Sequence, residues 1–538
     1  MRKNLYKIVI SIILLTLTQV GYSQLSDLHY LPPLKQAVNN QAIEQQTIYL
    51  STPETSSFDV KVYKGTSTTA LATLSISKTN SATYSLADGD NEITLVTNPN
   101  TGITLSNSGL RFESDNKEKF YVNYRGSSNN QAASITSKGR AALGQKFKWG
   151  GAPVEGKSNS EYISTTLGIM ATEDGTTVTI SGYDQTCRFR SPTAVDGISS
   201  SSISITLNKG QSYVLEAVTD FTLPTPAANK DGWIGASIVS DKDIAISNGM
   251  LNFGVDPSKS SKDAGADQPV PEDKIGKEYI FVRGNGTEVD KSEFVIIIGT
   301  QENTEIYVNN ETLPFDTIGV GEYAKVPSSK YSGTTAGKNM HITTTKDVYA
   351  YQVLAGAITS SHKTVSLNFV APVNCLLPDS MDHISAIENI AGLTVSGGLF
   401  IIASTTTLNS DIEVYNGIGG ATQITLPPEE TVSGSSEWKT FYITGLTGDV
   451  SVKSTGPIAV GFIGFDGNLG IAGYFSGFDT VPVTELAVTG GGCLPGGAIE
   501  VVTKNFESYQ WYDNGVLIAG ENNHTYTPTT SGDYYVRV

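Results

Sequence analysis

Gly168-Ile-Met-Ala-Thr172 runs through a short polar turn into Thr177-Val-Thr-Ile-Ser-Gly182. The second half alternates β-branched and polar residues, as a half-buried strand requires, because successive side chains point to opposite faces. The phrase recurs three times: Thr47-Ile-Tyr-Leu-Ser-Thr52 into Phe58-Asp-Val-Lys-Val-Tyr63, Val295-Ile-Ile-Ile-Gly-Thr300 into Thr304-Glu-Ile-Tyr-Val-Asn309, and Phe400-Ile-Ile-Ala-Ser404 into Asp411-Ile-Glu-Val-Tyr-Asn416. A second phrase follows each copy, a polar turn leading into an apolar strand: Ser114-Asp-Asn-Lys-Glu-Lys-Phe-Tyr-Val-Asn-Tyr124, Ser240-Asp-Lys-Asp-Ile-Ala-Ile-Ser-Asn-Gly249, Thr345-Lys-Asp-Val-Tyr-Ala-Tyr351 and Ser454-Thr-Gly-Pro-Ile-Ala-Val-Gly-Phe462. Two self-similar phrases in a constant order mark an internal repeat.

From Ser51 to Thr172 to Thr300 to Ser404 the spacing is 121, 128 and 104 residues. A Greek-key sandwich takes about 100 residues and a propeller blade about 40 to 50. The expected fold is therefore all-β: four repeated antiparallel units, sandwich-like and in series, with a propeller of long blades as the alternative. Ile203 to Leu215 reads as a hairpin turning at Asn208-Lys209-Gly210. Leu31 to Gln45 is the one plausible helix after the first residues.

Arg2, Lys3 and Lys7 flank an apolar run from Ile8 to Val20 that ends in Gly21-Tyr22-Ser23. At 13 residues the run is shorter than the roughly 20 that span a bilayer, so residues 1–23 read as a secretory signal peptide. No later stretch approaches spanning length. Net charge is −17, with 39% apolar and 17% charged residues. That balance supports a globular chain, and with no Lys/Arg cluster it speaks against nucleic acid as a partner. Three cysteines, Cys187, Cys375 and Cys493, are too few for a disulfide framework. Cys187 and Cys375 are a candidate pair.

Catalytic patterns are sparse. His29, His341, His362, His383 and His524 show no metal-ligand spacing, and neither a G-x-S-x-G elbow nor a phosphate-binding loop occurs. Paired carboxylates, all that a glycosidase needs, cannot be judged without the fold. Oxygen donors on loops suit calcium: Asp256, Asp263, Asp267 and Asp273 lie among Ser, Gly and Pro, and Asp88-Gly-Asp-Asn-Glu92 sits in a turn. No other cofactor is expected. Exposed aromatics mark contact surfaces, and Trp149, in a Gly-rich segment beside Lys146 and Lys148, is the expected ligand-contact residue. Trp438 is a lesser candidate, while Trp233, opening a strand, reads as core.

Five segments carry a likeness to a known family: Phe120-Tyr-Val-Asn-Tyr-Arg-Gly126, Gly139-Arg-Ala-Ala-Leu-Gly144 with Phe147-Lys-Trp-Gly-Gly151, Asp231-Gly-Trp-Ile-Gly-Ala-Ser-Ile-Val-Ser-Asp-Lys-Asp-Ile244, Asp263-Ala-Gly-Ala-Asp-Gln-Pro-Val-Pro271 and Ala371-Pro-Val-Asn-Cys-Leu-Leu-Pro378. From about Leu28 to Pro482 the chain resembles the N-terminal domain of IgGFc-binding proteins, as found in exported bacteroidete surface proteins. The resemblance implies an extracellular, adhesive role and carries no binding residues over. Cys493-Leu-Pro-Gly496, Tyr509-Gln-Trp-Tyr512 and Tyr526 to Val538 resemble an immunoglobulin-like module that stops before a second cysteine. That pairing of domains resembles substrates of type IX secretion.

The expected organisation is thus a signal peptide (1–23), a repeated β region (24–485) and an incomplete immunoglobulin-like module (486–538). The expected function is a non-catalytic, secreted or cell-surface adhesin for a glycan or glycoprotein. The alternatives are a structural spacer that presents a further domain and a polysaccharide-active enzyme.

Overall fold

The computed structural model describes residues 24–37, 42–86, 91–128, 131–155, 163–219, 227–254, 263–286, 292–332, 337–355, 365–374, 377–417, 422–467, 469–478, 486–489, 497–501, 508–514, 516–530, 532 and 534–537. The expected signal peptide lies outside them. The described chain is all-β, its only helical turns being short 3-10 pieces. Tyr22–Thr480 is one compact unit and Val481–Val538 belongs to another.

The first repeat comprises β1 (Leu28–Leu31), β2 (Gln45–Ser51), β3 (Phe58–Lys64), β4 (Ala72–Ile76), β5 (Ala82–Leu86), β6 (Leu110–Ser114), β7 (Tyr121–Ser127) and β8 (Ala132–Thr136). They make two four-stranded sheets, ordered β1-β6-β3-β4 and β8-β7-β2-β5. The expected helix over Leu31 to Gln45 is not formed. Pro32 and Pro33 favour extended backbone and deny a helix its N–H donors, and Leu34–Lys35 instead pairs in parallel with Leu95–Val96.

The second repeat is β9 (Gly144–Lys148), β10 (Ser164–Ala171), β11 (Thr176–Ser181), β12 (Ser202–Leu207), β13 (Ser212–Val218), β14 (Ser237–Phe253) and β15 (Asp263–Asp267). The third is β16 (Gly276–Val282), β17 (Phe294–Gly299), β18 (Thr304–Val308), β19 (Asp316–Ile318), β20 (Tyr323–Val326), β21 (Asn339–Ala355) and β22 (Val365–Phe369). Here one 17-residue strand, β14 or β21, does the work of β6 and β7 together. The first half of β14 pairs with β9 and β11, and its second half with β10 and β15. The fourth repeat, β23 (Ser380–Ile384), β24 (Ser396–Ser404), β25 (Glu413–Asn416), β26 (Thr422–Ile424), β27 (Trp438–Leu446), β28 (Val450–Lys453), β29 (Ile458–Asp466) and β30 (Leu469–Tyr474), returns to two sheets.

Both sequence phrases acquire a structural meaning. The first joins strands of different sheet halves, β2 to β3, β10 to β11, β17 to β18 and β24 to β25. The second marks the handover between halves. Between Lys146↔Val239 and Gly144↔Ile244, residues Ser240 to Asp243 bulge out opposite Gln145 alone. Thr344 to Asp347 do the same opposite Lys277. Such a bulge bends a strand and raises its twist, so one strand can serve two sheet halves. The hairpin expected from Ile203 to Leu215 is likewise a corner: the turn forms, with Gly210 at φ +79, but β12 pairs with β11 and β13 with β10.

The four repeats close on one another. The last strand of each, β8, β15, β22 and β30, packs against that of the next, and β30 packs back against β8. Their sequences explain the close approach: Ala132, Ala133 and Ser134, then Ala264, Gly265 and Ala266, Ser366, and finally Gly470, Ala472 and Gly473. A Cβ on Gly265 would sit 2.7 Å from the Leu367 backbone nitrogen, and one on Gly473 2.6 Å from Thr136 Oγ1. Repeats one and four, far apart in sequence, are sealed by Arg125, which donates to the carbonyls of Ser385 (2.8 Å), Ala386 (2.6 Å) and Asn389 (2.8 Å). Ser134 Oγ also donates to the Ala472 carbonyl at 2.8 Å. The repeats are sandwich-sized, and their closure is that of a propeller. One hydrophobic core runs from Ala141 to Phe478 through the second, third and fourth repeats, with separate cores in the first and fourth.

In the C-terminal unit, β31 (Leu486–Thr489), β32 (Ala498–Val501), β33 (Gln510–Asp513), β34 (Val516–Leu517), β35 (Thr525–Tyr526) and β36 (Tyr534–Arg537) form two three-stranded sheets, β31-β32-β35 and β34-β33-β36. Trp511 is fully buried, donates to the Asn523 carbonyl at 2.9 Å and lies 5.5 Å from the Tyr526 ring. Trp511 thus belongs to the core of this unit. Cys493 lies outside the described residues.

Candidate functional site

The axial strands run in one direction. At their starts the Ala132 N–H donates to Asp263 Oδ1 at 3.0 Å, and at their ends Lys138, Asp267, Phe369 and Tyr474 meet. Lys138 Nζ lies 3.3 Å from Asp267 Oδ1 and donates to the Tyr474 carbonyl at 3.2 Å, while the Phe369 N–H donates to Asp267 Oδ2 at 2.9 Å. One side chain from each of the first two repeats and one backbone group from each of the others are thereby tied together. Lys138 and Asp267 are sealed from solvent. Burial pushes the Asp267 carboxyl up and the Lys138 ammonium down, and their mutual attraction opposes both shifts. The N-terminal segment covers this end: Gln24 Nε2 donates to the Tyr474 carbonyl and Gln268 Nε2 to that of Tyr30, both at 2.8 Å.

The axial strands begin at the opposite end. There Gln131 Nε2 donates to Asn252 Oδ1 at 2.5 Å. Asp263 Oδ1 accepts from two backbone N–H groups, of Ala132 and Ala264. Among the described residues Asp263 Oδ2 and Gln131 Oε1 are buried without a hydrogen-bond partner. Burial raises the Asp263 carboxyl well above its ordinary range.

The residues singled out in the sequence do not assemble there. Trp149 is not a surface residue: it is fully buried, its ring stacks on Trp233 at 3.8 Å, and Nε1 donates to the Thr166 carbonyl at 3.2 Å. The glycines beside it make room for the indole, since a Cβ on Gly151 would lie 2.4 Å from that ring. Trp438 is buried as well. Of the expected calcium ligands, Asp256 lies outside the described residues and Asp273 is exposed on a 3-10 turn. Asp263 and Asp267 stand at opposite ends of β15, about 13 Å apart at the strand rise of about 3.3 Å per residue, too far to share an ion. Among the described residues no three His, Cys, Asp or Glu side chains gather as metal ligands.

Cys187 is a buried free thiol whose pKa burial pushes up to about 12, and its expected partner Cys375 lies outside the described residues. A serine and a histidine do meet, Ser137 Oγ at 3.1 Å from His29 Nδ1, but His29 is fully buried and its Nε2 faces the Phe120 carbonyl at 2.9 Å. Burial holds that imidazole down at about 4, so the pair is a structural hydrogen bond. Sequence reasoning missed Arg125, Lys138 and Gln131. The available signal was a polar side chain within a segment that otherwise reads as buried strand.

The family model described as IgGFc binding protein matches residues 132–464. The chain belongs to the IgGFc-binding protein family. The family match opens on Ala132, the first residue of β8, and runs to Gly464 in β29, so it takes in the first axial strand, the whole second and third repeats and most of the fourth. No curated protein matches the chain. Among solved structures, the pilus adhesin SpaC from Lactobacillus rhamnosus GG, in its open conformation, is similar at 11% identity and a TM-score of 0.11, over 80% of this chain and 56% of that one. The chain therefore spans little more than half the length of that adhesin, and so slight a likeness carries no argument.

Proposed function

We propose that this chain is an extracellular or cell-surface adhesin that binds a glycan or glycoprotein ligand and catalyses no reaction. Membership of the IgGFc-binding family carries the reading. The closed ring of axial strands supports it, since a rigid scaffold suits recognition. The spacer alternative, by contrast, expects repeats strung out in line, whereas Tyr22–Thr480 is one compact unit. Among the described residues no helix is long and apolar enough to cross a membrane.

The test is immobilised chain against a panel of glycans, mucin and immunoglobulin Fc, with calcium and again with chelator. Saturable binding in at least one arm is expected. Silence in every arm, together with reducing-end release from a polysaccharide, would replace binding with hydrolysis as the function.

A further inference from the structure

Each repeat meets the next along a seam, and the chain itself crosses three of the four seams, through residues 137–143, 268–275 and 370–379. At those three, backbone lies directly on backbone. A Cβ would stand 2.3 Å from the Gly65 carbonyl oxygen if placed on Gly210, 2.0 Å from that of Gly321 on Gly235, and 2.2 Å from that of Asn309 on Gly434. The fourth seam joins the last repeat to the first. No stretch of chain leads from one to the other there, and no described glycine makes such an approach across it.

That seam is fastened through the segment Ser385 to Gly392 of the fourth repeat. Arg125, fully buried on β7, donates to its Ser385, Ala386 and Asn389 carbonyls and lies 4.1 Å from the centre of the Tyr49 ring. Tyr49 donates its hydroxyl to Asn389 Oδ1 at 2.5 Å and accepts the Ala391 N–H at 3.2 Å. Among the described residues no carboxylate pairs with Arg125, whose Nε donates to Asn123 Oδ1, so neutral oxygens alone receive its hydrogen bonds. Two residues of the segment stand in the left-handed region, Ala386 at φ 41 and Ala391 at φ 47. Asn252, Asn303 and Asn309 do so too, but asparagine tolerates that region through local hydrogen bonds, whereas alanine has nothing to offset the clash of its Cβ with the backbone. The segment keeps this shape because the first repeat grips it.

We propose that the ring opens and recloses at this seam, with Ser385 to Gly392 as a strained clasp that Arg125 and Tyr49 hold shut. The axial bonds of Lys138 to the Tyr474 carbonyl and of Ser134 to that of Ala472 stay made and serve as the hinge. Release relaxes both alanines, so strain favours opening here and at no other seam.

Hydrogen exchange of the full chain, read by mass spectrometry on peptides, tests this. Amides of residues 45–51, 121–127 and 383–392 should exchange as one unit, at least about tenfold faster than β10 and β17, the counterparts of β2 in the next two repeats. Ala386→Gly and Ala391→Gly remove the clash and should each slow that unit roughly two- to fivefold, whereas glycine for alanine elsewhere loosens a fold. Arg125→Met should quicken the unit and leave β10 and β17 unchanged; if that variant does not fold, the two glycine variants decide. A seam that exchanges no faster than β10 and β17, or glycine variants that quicken it, overturns the proposal.

Discussion

Replacing Lys138 with methionine keeps most of the side-chain volume and removes one charge from the point where all four repeats meet. Asp267 would keep its backbone donors, the N–H groups of Gln268 at 2.8 Å and Phe369 at 2.9 Å, but lose the only cation that pairs with it among the described residues. Removing one partner of a buried ion pair costs about 3–5 kcal/mol, because the other charge stays buried and uncompensated. Against a typical net stability of about 5–15 kcal/mol, that is a large fraction. Replacing both partners, Lys138→Met with Asp267→Asn, removes both charges, and the double variant should be more stable than Lys138→Met alone. Asp267 is already pushed up by burial, and without Lys138 it rises further. The folded variant then gains by taking up a proton, and its deficit shrinks as the pH falls. Urea unfolding followed by Trp149, Trp233 and Trp438 fluorescence at pH 7 and pH 5 measures each quantity. A single-variant loss below about 1 kcal/mol, or single effects that simply add in the double variant, would show that these residues are not coupled and that the ring is held elsewhere.

Three further outcomes follow from the same geometry. His29 has a folded pKa of about 4 against 6.5 in the unfolded chain, so its contribution is present above pH 6.5 and lost as pH falls towards 4. The loss is about 3 kcal/mol, and His29→Gln should flatten the difference between urea midpoints measured at pH 7.5 and 4.5. Gly265→Val drives a side chain towards the Leu367 backbone nitrogen, 2.7 Å from the added Cβ; a loss of about 1–3 kcal/mol is expected, and an unchanged thermal midpoint would mean that the axis is looser than described. Trp149→Ala should cost about 3–5 kcal/mol in urea unfolding while leaving ligand affinity per folded molecule unchanged, whereas a selective loss of affinity would return Trp149 to the binding surface.

The repeat was legible because its signal is local. Alternation in Thr177 to Ser181 and Thr304 to Val308 is dictated by each strand's own two faces, and polar turns at Ser240 and Thr345 are short enough to read directly. Ring closure was not legible, because it depends on contacts such as Arg125 with Ser385 and Lys138 with Asp267, between residues more than a hundred positions apart. The small residues of β8, β15 and β30 read only as weak strands; their purpose appears once four backbones meet on one axis. Trp149 misled for a related reason. A tryptophan among glycines looks exposed, but Gly150 and Gly151 are small because the indole and the Tyr351 ring fill the space beside them.

Comparing the four repeats separates what the fold demands from what it leaves free. The inward positions of equivalent strands, Val60 and Val62, Val178 and Ile180, Ile306 and Val308, Ile412 and Val414, are all aliphatic and all buried. Burying each such side chain stabilises by about 1.5–3 kcal/mol, so those positions have little latitude. The outward positions that follow each of them differ in kind: Lys61 and Tyr63, Thr179 and Ser181, Tyr307 and Asn309, Glu413 and Tyr415. Nothing in the core requires that difference, because the strand orders of the four repeats correspond. The charged and aromatic outward ladders of repeats one, three and four and the hydroxyl ladder of repeat two are therefore where the molecule's surroundings, rather than its folding, set the residue. The proposed recognition of a ligand is to be sought on those ladders, with the stapled end holding them in place.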